Sequence, residues 1–407
     1  MAMAMAISTD VEPNVMAVFA KWDAVVVGAG PAGAIAARQL GQRGASVLLV
    51  DRAVFPRSKV CGCCVNAPAL RTLERIGLGG LPNRLGAVPT NRFRLFVPGQ
   101  RISLPIPAGV SISRRTFDWA LVREATVAGV TFRGATSAAL TCVDDGWRFV
   151  RLSREEGVET VAARLVVAAD GLNGRLIRNQ PSLEPSINRR GRMGAAVICD
   201  RASDCYKPGT IYMACDGGGY VGLVRLEDGR ANVAAALDPY VVKRSGGPGA
   251  TTAGILRRTG LPQIEELEQK PWHGTGILTR RRTVLGAHRL LVLGDAAGYV
   301  EPFTGEGMAW ALASAEAVTA PALQAIACWQ PKMVAIWTRR HRQLIGRRQR
   351  LCRWLRLILR YPNLMGAAMW TLRIAPALAY PITHMINAPL ASGSAESPKF
   401  LSGRESY

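Results

Sequence analysis

The sequence predicts an α/β chain in which a parallel sheet with flanking helices is joined to an antiparallel sheet and to a helical C-terminal region. Short apolar runs are typical of buried parallel strands, and they occur at 22–27, 45–50, 163–169 and 289–293. Other runs alternate polar and apolar residues, as antiparallel strands with one covered face do, and they occur at 92–97, 194–199, 220–225 and 230–235. The first group predicts one sheet and the second group predicts another.

The loop after the first apolar run has the glycine spacing of a Rossmann-like dinucleotide-binding turn. Gly28 permits the turn out of the strand, Gly30 lets the backbone approach a pyrophosphate, and Gly33 lets the next helix pack closely. Pro31 and Ala32 open that helix, where the missing N–H of proline costs nothing and the positive end of the helix faces the phosphates.

Acids and glycines also follow the other apolar runs. Asp51 ends the second run, at the spacing expected for an acid that holds a ribose hydroxyl. Asp170 begins the segment after the third run, and Gly294 and Asp295 begin the segment after the fourth. An alanine-rich helix then opens with backbone N–H groups that can face an electron-rich ring edge, and its first residues are Gly305, Glu306, Gly307 and Met308.

In this order, the segments resemble those of the glutathione-reductase-type flavoproteins, a superfamily that includes aromatic hydroxylases, geranylgeranyl reductases and flavin halogenases. The resemblance covers about residues 20 to 320 and implies a Rossmann-like FAD-binding domain with a bound FAD. One departure is Gly174, because serine is usual at this place. Beyond the glycine loop and Asp51, the resemblance places at the cofactor Arg52, Lys59, Cys61, Arg114, Asp170, Gly294, Asp295, Gly305, Glu306, Gly307 and Met308.

The reaction is left open by this resemblance. The chain carries Gly305-Glu306-Gly307, a form that the reductase branch favours, whereas the hydroxylases favour GQG. We expect an FAD-dependent oxidoreductase that acts on a lipophilic small molecule, with an NAD(P)H-dependent monooxygenase as the first interpretation. The alternatives are a geranylgeranyl-reductase-like reductase of carbon–carbon double bonds and a membrane-surface flavin electron-transfer protein. No second GxGxxG loop follows a strand, so NAD(P)H is expected to visit the flavin transiently.

The motif positions also predict how the chain is divided. A discontinuous FAD-binding domain is expected at 20–85, 105–185 and 285–330. The sheet of a substrate domain is expected at 86–104 and 186–284, and a basic, apolar helical region at 331–407. Residues 1–19 are expected to be disordered.

The C-terminal region carries much of the charge. The net charge is +22, and residues 317–395 contain no aspartate or glutamate, whereas nine arginines lie between 338 and 360 among apolar residues at helical spacing. This basic amphipathic helix and the apolar stretch after it favour either an anionic membrane surface contacted through 338–390 or a helical cap over the substrate pocket. The two interpretations are compatible. Nucleic acid is not expected as a partner, because no recognised nucleic-acid motif accompanies the charge.

The cysteines form one cluster, at Cys61, Cys63 and Cys64. No second ligand pair accompanies it, so a metal site is not expected. A redox dithiol is the less favoured interpretation of these cysteines. We expect Cys61 beside the flavin and the other cysteines packed as small apolar residues. The catalytic residue is otherwise unknown, and Cys61 is the candidate. No secretory signal is visible, which favours a cytoplasmic protein with a peripheral contact to a membrane.

Overall fold

The computed structural model describes residues 19–301, 303, 305–358, 360–380, 387–388 and 390. The described strands form two large sheets and one small sheet. In chain order they are β1 (Ala20–Val27), β2 (Val47–Val50), β3 (Cys64–Val65), β4 (Val88–Val97), β5 (Gln100–Ser111), β6 (Thr131–Arg133), β7 (Ser137–Val143), β8 (Arg148–Arg154), β9 (Gly157–Ala168), β10 (Ser186–Ile187), β11 (Met193–Cys199), β12 (Thr210–Asp216), β13 (Gly219–Arg225), β14 (Ala231–Leu237), β15 (His273–Ile277), β16 (Arg280–Arg281), β17 (Gly286–Ala287), β18 (Leu290–Val292) and β19 (Gly298–Tyr299).

The helices begin where their sequences favour a start. In chain order the described α-helices are α1 (Pro31–Gly41), α2 (Ala67–Arg75), α3 (Leu81–Arg84), α4 (Arg114–Val127), α5 (Pro239–Arg244), α6 (Pro248–Thr259), α7 (Gly307–Ala327), α8 (Lys332–Ile358) and α9 (Pro362–Ile374). The side chains of Asn66 and Ser113 cap α2 and α4 by accepting from the backbone N–H three residues later. Proline stands in the first turn of α1, where its missing N–H is not needed.

The first sheet is parallel through its centre, which confirms the predicted parallel sheet. Its order is β17, β18, β9, β1, β2 and β6, with the β7–β8 hairpin attached to β9. The register pairs Val27 with Val50 and with Ala168, and it pairs Ala168 with Val292. The C-terminal ends of four strands therefore lie side by side. Because loops that leave parallel strands meet at one edge of the sheet, the segments after these strands come together.

The second sheet has the order β15, β11, β14, β13, β12, β4, β5 and β3, and the four alternating runs predicted from the sequence all lie in it. Its pairs are antiparallel except β4 with β12, which run parallel. The long crossover between these two strands explains this departure, because only a hairpin would force opposite directions. The second strand of the β4–β5 hairpin continues past residue 104 to Ser111. The proposed division into domains remains a prediction.

The C-terminal helices join the two sheets. Helix α8 packs on α7, and its fully buried Trp337 donates its indole N–H to the carbonyl of Val292 at 2.8 Å. Helix α9 packs on β5 of the second sheet. No helix in the part of the chain that the structure describes is long and apolar enough to cross a membrane. The predicted disorder of 1–19 lies almost wholly outside the described residues, as does most of the C-terminal region beyond 380.

Candidate active site

The glycine loop between β1 and α1 is fixed by contacts that exclude side chains. A Cβ atom on Gly28, whose φ is +103°, would lie 2.3 Å from the carbonyl oxygen of Ala169. A Cβ atom on Gly33 would lie 1.8 Å from the carbonyl oxygen of Gly28. Gly30 is different, because a Cβ there would point at two guanidinium groups, 3.6 Å from Arg57 Nη2 and 3.7 Å from Arg114 Nη2. The loop therefore leaves a space in front of these two arginines.

One carboxylate contacts both arginines. Asp118 on α4 is fully buried and accepts two hydrogen bonds of 2.7 Å from Arg114, and it lies 3.1 Å from Arg57 Nη1. Oδ2 of Asp51 also lies 3.8 Å from Arg57 Nη2, so two carboxylates hold the two arginines. The guanidinium N–H groups that face Gly30 and the N-terminus of α1 favour a negatively charged ligand there. Arg57 was not among the predicted site residues. The signal that could have found it was its place in the same segment as Lys59 and Cys61.

Asp51 lies at the end of β2, as expected from its position in the sequence. Its carboxylate accepts from the backbone N–H of Ala29 at 2.8 Å and of Ala53 at 2.9 Å, so the glycine loop and the strand end hold it. The neighbouring Arg52 is exposed to solvent and does not line the cavity described below.

Lys59 connects the two later glycine segments. Its Nζ lies 3.7 Å from Oδ2 of Asp295, and a Cβ on Gly171 would lie 3.0 Å from the same nitrogen. The side chain of Asp170 points away from this place, because it accepts from the backbone N–H of Leu176 at 2.9 Å, and burial raises its pKa. Asp170 therefore shapes the turn that Gly171 continues.

Glycine at 174 has a physical reason. Its φ is +49°, and a Cβ there would lie 2.9 Å from Nη2 of Arg282. Arg282 is buried, and it donates to the carbonyl of Ala296 at 2.8 Å. A side chain at 174 would therefore displace the guanidinium group that joins the two glycine segments.

The start of α7 faces the same cavity through Gly305, Gly307 and Met308. The side chain of Glu306 is fully buried and pairs with Nη1 of Arg348 on α8 at 2.7 Å. At the ring edge, Glu306 can thus offer only its backbone N–H. Its carboxylate instead links the start of α7 to α8 through Arg348.

Cys61 lines the cavity beside Arg114. The backbone N–H of Cys63 donates to its Sγ at 3.3 Å. The Cys63 thiol and the Arg114 charge lower the pKa of Cys61 to about 6, although burial opposes them. Burial and the nearby Cys61 raise the pKa of Cys64 to about 12. Cys61 is therefore the acidic thiol of the cluster.

The cavity has a volume of about 460 Å³ and continues from the glycine loop to the second sheet. Among the described residues that line it, the charged ones are Lys59, Arg114 and Asp295, all on the side of the glycine segments. The opposite wall is mostly apolar and comes from the second sheet, α8 and α9, with Phe93, Leu95, Leu104, Met213, Leu355 and Met365 among its side chains. Its polar side chains include Thr90, Tyr220 and Thr275, and none of these is charged. Helices α8 and α9 thus cover the cavity, as the cap interpretation of the C-terminal region expects.

Tyr299 is a lining residue that sequence reasoning did not find. A Cβ on Gly307 would lie 3.4 Å from its hydroxyl oxygen, so the phenol stands between the segment that begins with Gly294 and Asp295 and the start of α7. Burial, and then the nearby carboxylate of Asp295, raise the pKa of Tyr299 well above its usual value. The hydroxyl therefore keeps its proton throughout the neutral range.

The fold and this cavity define a flavin-dependent enzyme, and comparison with known proteins agrees. A family model described as FAD binding domain matches residues 21–320, and the chain belongs to this family. Over 329 residues, the chain is 29% identical to digeranylgeranylglycerophospholipid reductase 1 of Methanopyrus kandleri, and the match covers 75% of this chain and 81% of the relative. Over 314 residues it is 26% identical to menaquinone reductase of Mycobacterium tuberculosis, covering 71% and 74% of the two chains.

The fold is shared with a flavin-dependent brominase, Bmp2. The TM-score is 0.74 at 14% sequence identity, and the superposition covers 90% of this chain and 93% of the brominase. The protein is an FAD-dependent oxidoreductase, as the sequence predicted.

Proposed function

We propose that the protein reduces carbon–carbon double bonds in a long, apolar substrate of isoprenoid type. The observation that carries this proposal is the apolar wall, because the described residues that line it bear no charge. A hydrocarbon chain gains free energy by leaving water for such a wall, and it needs no polar anchor. Both relatives reported above are named as reductases, one of a digeranylgeranylglycerophospholipid and the other of menaquinone.

We propose that FAD lies along the charged side of the cavity. The space at Gly30 suits the pyrophosphate, because a Cβ there would fill it and two guanidinium groups face it. Asp51 is placed to accept from a ribose hydroxyl. Lys59 and Asp295 suit the ribityl chain, and the N–H groups at the start of α7 suit the edge of the ring.

Bound there, FAD supplies the hydride that the reduction requires. The chain itself supplies the proton, and the described side chains with a dissociable proton that line the cavity include Cys61, Cys64, Tyr220 and Tyr299. Tyr299 is the one that stands at the start of α7, where the edge of the ring is proposed to lie. The Cys61 thiol has a pKa of about 6 and is mostly deprotonated at neutral pH. Tyr299 keeps its proton, and we assign proton delivery to its hydroxyl. Helices α8 and α9 exclude water from the apolar wall.

Hydroxylation, the first interpretation of the sequence, suits this cavity less well. An aromatic hydroxylase has to orient a ring that carries polar groups, and no charged group among the described residues lies on the apolar wall to do so. Reduction of a hydrocarbon double bond asks only for an apolar channel, a hydride source and a proton. NAD(P)H as a transient electron donor remains part of the proposal.

Anaerobic reoxidation of the enzyme tests this proposal. The FAD-loaded full chain is reduced with dithionite and mixed without oxygen with a phospholipid that carries geranylgeranyl chains. We expect the flavin absorbance to return to its oxidised spectrum, and the matched lipid with saturated chains to leave it reduced. A flavin that stays reduced until oxygen is admitted would favour the monooxygenase. A saturated chain cannot accept electrons, so reoxidation that is equal with both lipids would mean that the double bonds are not the electron acceptor, and it would contradict the proposal.

We also propose that α8 and α9 contact an anionic membrane, from which the substrate enters. Trp354 is 69% exposed, Trp370 63% and Ile374 63%, next to the arginines of α8. Exposed aromatic side chains beside arginines are typical of surfaces that rest in the headgroup region. Leu355 and Met365, on the same two helices, line the cavity. A single pair of helices would thus face both the membrane and the substrate.

Vesicle flotation tests the membrane contact. The full chain should float with phosphatidylglycerol-containing vesicles and much less with pure phosphatidylcholine. Arg350→Gln combined with Arg373→Gln should weaken binding roughly thirtyfold, at about 1 kcal/mol per arginine. The control combines Arg123→Gln with Arg151→Gln, which removes the same charge from α4 and β8. An equal loss of vesicle binding in the control variant would contradict the contact. Binding that is the same with and without phosphatidylglycerol would contradict it as well.

A further inference from the structure

We infer that Cys61 and Cys63 form a redox pair, in which hydrogen peroxide oxidises Cys61 and Cys63 closes the product to a disulfide. A dithiol was the less favoured interpretation of the sequence, and the structure supplies contacts that the sequence alone does not show. This inference rests on the position of Cys61 and not on the identity of the substrate.

The two cysteines already interact. The backbone N–H of Cys63 donates to Sγ of Cys61 at 3.3 Å, and the nearby Cys63 side chain lowers the pKa of Cys61. Only Gly62 separates them, and a Cβ on Gly62 would meet nothing within 4 Å, so the link between them is not crowded. Residues two apart are separated by at most about 7 Å between Cα atoms, close to the range that disulfides span.

The surroundings make Cys61 the sulfur that reacts first. It is partly exposed on the cavity wall, whereas Cys63 is only 3% exposed. The positive charge of Arg114 favours the Cys61 thiolate, which is the form that attacks peroxide. Cys64 is a poor alternative, because its thiol donates to the carbonyl of Gly62 at 3.3 Å and burial keeps it protonated.

The chemistry balances with one peroxide. The Cys61 thiolate takes one oxygen, the O–O bond breaks, and the other oxygen leaves as water after protonation, so that Cys61 becomes a sulfenic acid. The Cys63 sulfur then attacks the Cys61 sulfur, and the hydroxyl group leaves with the Cys63 proton as a second water. Two thiols lose two electrons in total, and peroxide gains them. The disulfide protects Cys61 from irreversible oxidation, and it withdraws the thiolate from the cavity wall.

Peptide mass spectrometry tests the pair. The FAD-loaded full chain is reduced, freed of reductant, treated with hydrogen peroxide, alkylated and digested. We expect the peptide that contains both cysteines to lose the mass of two hydrogens and to gain no alkyl group on either, and a reducing agent should reverse both changes. Sulfinic or sulfonic acid at Cys61 in the unaltered protein, or full alkylation of both thiols after peroxide, would overturn the inference.

Three variants show which cysteines form the disulfide. Cys63→Ala should leave the Cys61 sulfenic acid open, so that dimedone adds to it, whereas the unaltered protein should take up little dimedone. Cys64→Ala should form the Cys61–Cys63 bridge as before. Cys61→Ala should leave Cys63 alkylatable. Retention of FAD by each variant shows that it is folded. If dimedone uptake is the same with and without Cys63, the pair does not exist.

Discussion

The charged side and the apolar side of the cavity face each other, but they are specified in different ways. On the charged side, close backbone contacts exclude any residue other than glycine at some positions. A Cβ on Gly33, for example, would lie 1.8 Å from the carbonyl oxygen of Gly28. On the apolar side, residues such as Leu95, Leu104 and Met213 supply surface, and volume-conserving exchanges between such residues cost little. Substitutions on the charged side should therefore abolish cofactor binding, while those on the apolar side should tune substrate choice.

The largest effect is expected from Gly33→Ala. The added Cβ meets the backbone of Gly28 in the glycine loop, which cannot move aside as a side chain can, so we expect a loss of stability of about 3 kcal/mol and loss of bound FAD. Urea unfolding and flavin absorbance of the purified chain measure these. The control is Gly346→Ala in α8, where a Cβ would meet nothing within 4 Å and where alanine favours the helix. Equal FAD content in both variants would refute the steric account.

Arg348→Met should destabilise the protein at least as much as Gly33→Ala but should affect FAD binding less, because it breaks the link between the two sides and leaves the glycine loop intact. The substitution removes the cation that pairs with the buried carboxylate of Glu306 at the start of α7. Removing one partner of a buried pair costs about 3–5 kcal/mol. Urea unfolding should show this loss, and the double variant with Glu306→Gln should recover a large part of it. A double variant as unstable as the single one would mean that the pair is not the cause.

Arg57→Met tests whether the guanidinium group that faces Gly30 contributes to the affinity for FAD. A hydrogen bond to a charged group contributes about 1.5–3 kcal/mol, so the affinity for FAD should fall roughly tenfold to a hundredfold. Fluorescence titration of the FAD-free protein measures this. Arg115→Met, which removes an exposed arginine from the same helix as Asp118, should leave the affinity unchanged. Equal effects of the two substitutions would mean that Arg57 acts only through net charge.

The smallest effect is expected where the two sides meet, at Cys61. The thiolate reacts with iodoacetamide, so alkylation of Cys61 should rise with pH around a midpoint at its pKa of about 6. The groups that act on it are Cys63 and Arg114, and Tyr299 lies nearby. Arg114→Met should move the midpoint to higher pH, because the cation favours the charged form. A midpoint that does not move would exclude Arg114 as a cause.

The sequence predicted the charged side largely because its residues follow parallel strands. Gly28, Asp51 and Asp295 could each be placed at one sheet edge from the apolar runs before them. Arg57 was missed because the carboxylate that holds it, Asp118, lies on another element, and spacing along the chain carries no sign of that pair.

The apolar side could not be predicted residue by residue. Its lining comes from strands of the second sheet and from two C-terminal helices that meet only in the folded chain. Alternation predicted those strands, but not which face would meet the cavity or that β4 and β12 would pair in parallel. In the same way, Glu306 was expected at the ring edge, whereas its carboxylate pairs with an arginine of α8.

The mass of the product tests the central claim most directly. The FAD-loaded enzyme is reduced and incubated with a geranylgeranyl-chain phospholipid, once without oxygen and once in air, and the lipid is analysed by mass spectrometry. The account predicts that the lipid gains two hydrogens for each reduced double bond, and that it does so without oxygen. A lipid that is unchanged without oxygen and gains one oxygen atom in air would contradict it.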